Sequence, residues 1–543
     1  MTTTNTFLIA TLGDSPIVVT ATALKLQAAD IGLAGVRVVF PEREKQIAVQ
    51  YGFVQETLQD RHNIPVDAIH LPFEDANSHE HGMTFLQKIS AQLEKHQAAG
   101  DHVILSLAGG RKNTSALLAV MAQFYPCVTR LLHLHAQPGP QHPYDFETLL
   151  GASPAERQRW LSPPLEDFEL VDIRVPPLAK AAQLRAWLKA PDSASVEIED
   201  WLSPEAEAFY SAVLTGLSAA PLKLSLSATA FTQVSDWITS GSNRVPVLES
   251  YLALLRDAQR LKAHRHGSFS RPTLPGKTFH FCKHGRTAER PFFYTQPNPL
   301  DAYPGKPVNE TVLVGISLEN DSHTPAYDKS GDDWLDTGDL DPAHPYEDLP
   351  RRKVMLIAPL GEYPMVVTQI IAGLEAAGNF PKGSEVALVY PRLHGNISAG
   401  AEILERVLSR RSTGPIVVRH YPIDIADTST QTECDTYWQE LTKTIGHIQT
   451  DHADKQIVLS IAGGRKAMSA LGLVAAQQMG ITRVYHTLPH DAVWQHKMEA
   501  KCSIDKLIPQ PRLQQENLLF PPDLARHATL FSIPVVSVRQ PDV

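Results

Sequence analysis

The chain has 543 residues, 43% of them hydrophobic and 20% charged, with a formal net charge of −10. That is the composition of a soluble globular protein, long enough for about three or four domains. The acidic balance excludes a protein that coats duplex nucleic acid by bulk positive charge, while leaving room for a local basic pocket around a small anion.

Cys127, Cys282, Cys434 and Cys502 lie far apart with no CxxC pair, which points to a reducing cytoplasm and not to a disulfide scaffold. The stretch from Met1 to Pro16 has no basic region, and its apolar run is short for a signal peptide. No segment approaches the ~20 apolar residues of a membrane span. The expectation is a cytoplasmic protein with no membrane partner.

In chain order, the first element is an apolar strand running into a glycine turn and a helix, Phe7-LIATLGDSPIVVT-Ala21. A second strand is expected at Val36–Pro41, a helix around Lys45–Gln59, a third strand near Ala68–Pro72 and then a long polar helix. Val103-ILSLAGGRKNTSAL-Leu118 follows as strand, turn and helix, and Arg130–Ala136 reads as the last strand. Residues 181–317 are expected to be mainly helical and irregular, with helical patterns at Pro204–Ser218 and Val247–Lys262 and a Pro-, Gly- and aromatic-rich texture after Arg265. Between Leu318 and Pro350, ten acidic residues stand against one Lys, the pattern of a solvated linker.

After Arg351 the first pattern returns. Val354-MLIAPLGEYPMVVT-Gln369 matches the opening segment, and Ile457-VLSIAGGRKAMSAL-Gly472 matches the later one. The matches keep their order at nearly constant offset, which marks an internal duplication. Apolar strands alternating with helices predict a parallel sheet covered on both faces in each copy. The expected architecture is α/β: two doubly wound, Rossmann-like domains at 1–180 and 351–543, a centre at 181–317 and an acidic linker at 318–350.

In such sheets ligands bind beyond the carboxyl ends of the strands, near the switch in strand order. Both repeated turns belong there. Gly109 and Gly110, with Gly463 and Gly464, permit a tight turn whose N–H groups lead into a helix N-terminus, a favourable place for an anion. Arg111 and Lys112, with Arg465 and Lys466, add two cations to each turn. Ser115 and Ser469, one helical turn on, are candidates to face the same ligand. The first turns contribute Gly13, Asp14 and Ser15 in one copy and Gly361 and Glu362 in the other. A glycine pair at a helix start and a solvated Arg-Lys pair are ordinary features taken singly; their retention in both copies points to a ligand. GxxxxGK[ST], GxSxG and HExxH are all absent.

A β–α sheet with a glycine first loop and the string S-[LI]-A-G-G-R-K-x-x-S resembles the CARF domains of CRISPR-associated proteins of type III systems. The likeness covers roughly residues 5–180 and 352–540 and is nearest to the ring nucleases and the sensor halves of CARF–HEPN ribonucleases. It implies a domain pair that binds cyclic oligoadenylate, tetra- or hexa-adenylate, across a two-fold axis. The tandem copies would build that pair within one chain, as a monomer or a higher oligomer. It further implies metal-independent ring cleavage by an adjacent 2′-hydroxyl, with no cofactor. Lys112, Lys466, Arg111 and Arg465 then become candidates for stabilising charge, and Ser15, with Thr11, for orienting the hydroxyl. Pro359 and Tyr363 replace Thr11 and Ser15 in the second copy, and Ala467-Met468 replaces Asn113-Thr114, so a ring should meet two unequal halves.

Two other readings stand beside it. One is a ligand-activated ribonuclease with a HEPN-like centre at Arg260 and His266, for which RNA would be a partner; Leu261 stands where that motif usually has a polar residue. The other is a sensor without catalysis. His264, His266, His280, Cys282 and His284 cluster with spacings poor for tetrahedral zinc, and no metal site is expected. His133, His135, His486 and His490 fall at or after the last strand of each copy, where structural or stacking roles are expected.

Overall fold

The structure, a computed structural model, describes residues 4–13, 15–41, 45–73, 78–110, 112–136, 146–173, 175, 181–189, 210–211, 213–214, 222–240, 242, 244–256, 261, 265–270, 278–282, 290–296, 310–317, 341–411, 414–489, 492–521 and 524–535. Contacts divide the chain into two compact units. One comprises Met1–Gln183, Val354–Asp451 and Ile457–Val535; the other comprises Leu184–Lys353, His452–Gln456 and Val536–Val543.

In the first unit, strands β1 (Thr6–Thr11), β2 (Gly35–Pro41), β3 (Val66–Leu71), β4 (His102–Ser106), β5 (Val128–Ala136) and β6 (Phe168–Asp172) form a sheet in the order β3-β2-β1-β4-β5-β6. The main helices are α1 (Ile17–Ala28), α2 (Lys45–Gln55), α3 (His79–Ala99) and α4 (Lys112–Phe124). Leu8, Ile9, Val36, Val38, Ile104 and Leu132 are buried, as strands covered on both faces must be. Pro16 opens α1, where its missing N–H costs nothing. Ser78 caps α3 by accepting from the His81 N–H at 3.1 Å, and Gly100 ends it in the left-handed region at φ 74°.

The central unit corrects the expectation for residues 181–317. Beside helices α5 (Ala228–Ser240) and α6 (Val245–Leu254) it holds strands β7 (Lys223–Leu226), β8 (Arg265–Ser270), β9 (Thr278–Cys282), β10 (Arg290–Gln296) and β11 (Glu310–Ser317). The aromatic run Phe292-Phe293-Tyr294, which looked irregular in sequence, is buried in the middle strand β10. The described end of the acidic stretch adds a short edge strand, β12 (His344–Pro345), to β7. The sheet order is β12-β7-β11-β10-β9-β8. His266 stands in strand β8, not in a helix as a HEPN-like centre requires, and Arg260, His264 and His284 lie outside the described residues.

The remainder of the first unit is a third sheet: β13 (Val354–Pro359), β14 (Glu385–Pro391), β15 (Val417–Ile423), β16 (Gln456–Ser460), β17 (Arg483–Pro489) and β18 (Ala528–Pro534), in the order β15-β14-β13-β16-β17-β18. Its helices are α7 (Met365–Ala376), α8 (Ile397–Leu408), α9 (Gln431–Asp451) and α10 (Lys466–Gln478). The strand order repeats that of the first sheet. In both, the chain reverses direction across the sheet between the first and fourth strands, and the last strand runs antiparallel to its neighbour. Sequence periodicity had shown neither antiparallel edge strand.

The two sheets are joined through α4 and α10, which pack on each other. Both helices are rich in small residues, and Ala116, Ala119, Ala470 and Ala475 are buried. The Gln123 side-chain amide donates to the carbonyl oxygen of Gln477 across this contact. These two residues hold the same position in the two helices, so their contact places a local two-fold relation there. A buried amide needs such a partner to offset its lost hydration.

Candidate functional site

A cavity of about 790 Å³ opens beyond the carboxyl ends of β1, β4, β13 and β16, with residues from both halves of the first unit in its walls. It lies at the reversal in strand order of both sheets, where an open α/β sheet leaves a crevice. The first half contributes Thr11, Gly13, Ser15, Gly109, Gly110 and Thr114; the second contributes Gly361, Glu362, Gly464, Arg465, Lys466 and Met468.

The repeated string is explained by how these loops interlock. A Cβ on Gly109 would lie 1.6 Å from the carbonyl oxygen of Thr11, and one on Gly463 would lie 1.7 Å from that of Pro359. Both neighbours are backbone, so no side chain is tolerated at either place. Gly13 in turn abuts Gly109, and Gly361 abuts Gly464. The first serine of each string supports the turn: Ser106 Oγ accepts from the Ala108 N–H at 3.4 Å, and Ser460 Oγ from the Ala462 N–H at 3.2 Å.

The last serine of each string corrects the sequence reading. Ser115 and Ser469 are fully buried; their hydroxyls donate to the carbonyls of Leu107 at 3.0 Å and Ile461 at 2.8 Å. They tie each helix to the end of the preceding strand and do not line the cavity. A hydroxyl one turn into a helix reaches back to the strand when the connecting loop is this tight.

The cations are arranged unequally. Lys466 sends its ammonium across to donate to the Ala108 carbonyl of the other half. Arg465 stays in its own half and meets Asp427 with two nitrogens, Nη2 at 2.9 Å and Nε at 3.3 Å. Asp427 belongs to a loop organised by Glu433, which accepts from the backbone N–H groups of Asp427, Ser429 and Thr430. Burial works to raise the Glu433 carboxyl, but the bond from the Ser429 hydroxyl, these backbone bonds and that from the Thr430 hydroxyl outweigh it and hold the group below its ordinary range. Arg111 and Asp14 lie outside the described residues; Lys112 begins α4, and its side chain is also outside them. Glu362 stands on the cavity wall with His394 at 3.9 Å, a group suited to accept from a hydroxyl or an amino group and not to meet a phosphate.

His133 and His486, at matching places on β5 and β17, both line the cavity, a placement the strand pattern alone did not give. Burial, followed by the charges of Lys466, His135 and Arg465, pushes His133 down to about 3. His135 is also lowered, first by burial, with Asp427 opposing. Burial would penalise a phosphate as it penalises the imidazolium, but the Lys466 and Arg465 charges that add to the His133 shift favour an anion nearby. Because the folded value lies below the unfolded 6.5, the unfolded chain binds the extra proton, and stability falls as pH drops from about 6.5 toward 3. A melting series between pH 7 and 5 should therefore show a decline that His133→Asn makes shallower; an unchanged slope in the variant would refute the assignment.

Among the described residues no group of three or more His, Cys, Asp or Glu is placed to hold a metal ion. None of the described helices is long and apolar enough to cross a membrane.

Among solved structures, the chain is similar to a type III CRISPR defence DNA nuclease activated by cyclic oligoadenylate, at 12% identity and a TM-score of 0.36, with 89% of this chain and 65% of that one covered. It is also similar to Enterococcus italicus Csm6 bound to cyclic hexa-2′-fluoro-hexa-dAMP, at 13% identity and a TM-score of 0.24, covering 38% and 49%. Protein VC1899 from Vibrio cholerae matches at 10% identity and a TM-score of 0.20, over 76% of this chain and 94% of that one. The chain thus spans less than two thirds of the first two proteins. No curated protein sequence matches it. The model of the CRISPR-associated protein NE0113 family, Cas_NE0113, matches residues 15–200 and 363–542, well over half of the chain. The resemblance to CRISPR-associated proteins carried by the two glycine–basic turns is therefore borne out, and the chain belongs to the CRISPR-associated protein NE0113 family.

Proposed function

We propose that the cavity binds one cyclic oligoadenylate across both halves and cleaves it without a metal, switching off the antiviral signal of a type III CRISPR system. The observation that carries this reading is that residues of both repeated turns, Gly109-Gly110 and Gly464-Arg465-Lys466, border one cavity. Its volume falls within the roughly 300–1,000 Å³ usual for small-ligand sites.

A ring of 3′–5′ linked adenylates carries one negative charge per nucleotide and repeats its chemistry around an axis. Two halves with the same strand order, meeting at Gln123 and Gln477, offer a matching relation. The N-termini of α4 and α10 and the adjacent cations attract the phosphates. Lys466, in place of its present bond to Ala108, neutralises charge on a phosphorane, and Arg465, oriented by Asp427, clamps a phosphodiester. The neutral imidazole of His133 and the ring of His486 offer flat faces to adenine or ribose.

The test is equilibrium binding and turnover of labelled cyclic tetra- and hexa-adenylate by the full chain in EDTA. One ring bound per chain, followed by products ending in 2′,3′-cyclic phosphate, is the expected result. A bound ring that stays intact would remove cleavage, and a ring that does not bind would remove the whole reading.

A further inference from the structure

The two ends of the cavity differ in chemistry although the sheets that build them share one strand order. At the first-half end, the space above Gly110 is flanked by two hydroxyls: a Cβ there would lie 2.6 Å from both Thr11 Oγ1 and Thr114 Oγ1. At the second-half end, the counterparts are Pro359 and Met468, and a Cβ on Gly464 would lie 2.6 Å from Met468 Sδ. The position of Ser15 is likewise taken by Tyr363 in the second half, and Tyr363 is 38% exposed on the rim. Thr11 Oγ1 and Ser15 Oγ are buried in the cavity wall with no hydrogen-bond partner among the described residues. Leaving two such groups unsatisfied is costly, and a bound polar ligand relieves it. Lys466 crosses from the second half to this same end.

We propose that a bound ring is cut at a single phosphodiester, the one seated at the end built by Thr11, Ser15 and Thr114 with Lys466 supplied in trans. The proposal rests on the ring-cleavage reading above and adds where and how often the cut occurs. In the step, a ribose 2′-oxygen bonds to the adjacent phosphorus as the bond from phosphorus to the 5′-oxygen breaks. The 2′-hydroxyl proton leaves to solvent and the 5′-oxygen takes one from solvent. No water is added, so the linear product is an isomer of the ring. The hydroxyls orient the attacking group and the phosphoryl oxygens, while the apolar end of Pro359 and Met468 holds the ring without chemistry.

The product separates one cut from two. Full-length protein in excess over cyclic tetra-adenylate, in EDTA, should first yield a linear tetranucleotide with the mass of the ring, accounting for all the ring consumed. Dinucleotides of half that mass, formed as fast as the ring disappears, would overturn single cutting while leaving binding and cleavage intact. A bound but uncut ring, or an unbound one, would overturn it together with the reading beneath it. In Thr11→Val/Ser15→Ala, cleavage should fall by about 100-fold, within the range seen when groups acting in a transition state are removed. Ring affinity and melting temperature report whether the variant is folded. Retention of half the wild-type rate would mean that both ends cut, and the proposal would fail.

Discussion

Replacing Lys112 and Lys466 together by alanine is expected to lower ring cleavage by about 10²–10³-fold, the usual consequence of losing preorganised charge stabilisation. Ring affinity should also fall, by roughly 10–150-fold if one charge-assisted bond worth ~1.5–3 kcal/mol is lost. The physical reason lies in the position of Lys466. Its ammonium already sits against the Ala108 carbonyl of the opposite half, and its charge adds to burial in keeping His133 neutral. A phosphate arriving there exchanges a neutral acceptor for a charged one, so the gain exceeds that of a surface pair. Lys443→Ala provides the comparison, because that lysine is exposed on α9 and pairs only with Glu440 at 3.5 Å among the described ion pairs. Equal losses in the two variants would mean that bulk charge alone drives binding.

The second large effect is steric. Gly109→Ala and Gly463→Ala each press a methyl group into a backbone carbonyl at 1.6 and 1.7 Å. Neither neighbour can swing away, so the cost should reach or exceed the upper end of the ~1–3 kcal/mol typical of overpacking. At about 2 °C per kcal/mol for a large domain, the melting temperature should fall by roughly 6 °C or more for each change. The turn would open, the cavity wall it forms would be displaced, and ring binding would be lost. Gly52→Ala should do the opposite. It lies in helix α2 with nothing near the added methyl, so a gain of about 0.5–1 kcal/mol is expected. Differential scanning fluorimetry on the three variants decides between them.

The parts legible in the sequence were those written in local spacing. The first, second and fourth strands of each Rossmann-like sheet announce themselves as apolar runs, and the two glycine turns recur too closely to be missed. What interlocks them was not legible. Glycine could be assigned to a tight turn, but the contact of Gly109 with the Thr11 carbonyl needs the lateral pairing of β1 with β4. Ser115 and Ser469 looked available to a ligand because helical spacing says nothing of how short the preceding loop is. Asp427 gave no signal, since it is 38 residues away from Arg465 and becomes its partner only through the Glu433 loop. The central sheet was hidden because Pro and Gly punctuate the segments between its strands and its amphipathic helices dominate the pattern.

The edge strands carry one last consequence. Phe531 of β18 fits over Gly82 of α3, where even a Cβ would come within 2.8 Å of the ring. By strand register and helix position, the counterparts of this pair are Val171 of β6 and Cys434 of α9. Bulk and hollow are thus distributed so that each half completes the other. Two second halves would force Phe531 onto Cys434, and two first halves would leave Val171 above an unfilled Gly82. The seam reads as a mould and its cast, so copies of one half from separate chains are poor substitutes for the mate encoded in the same polypeptide.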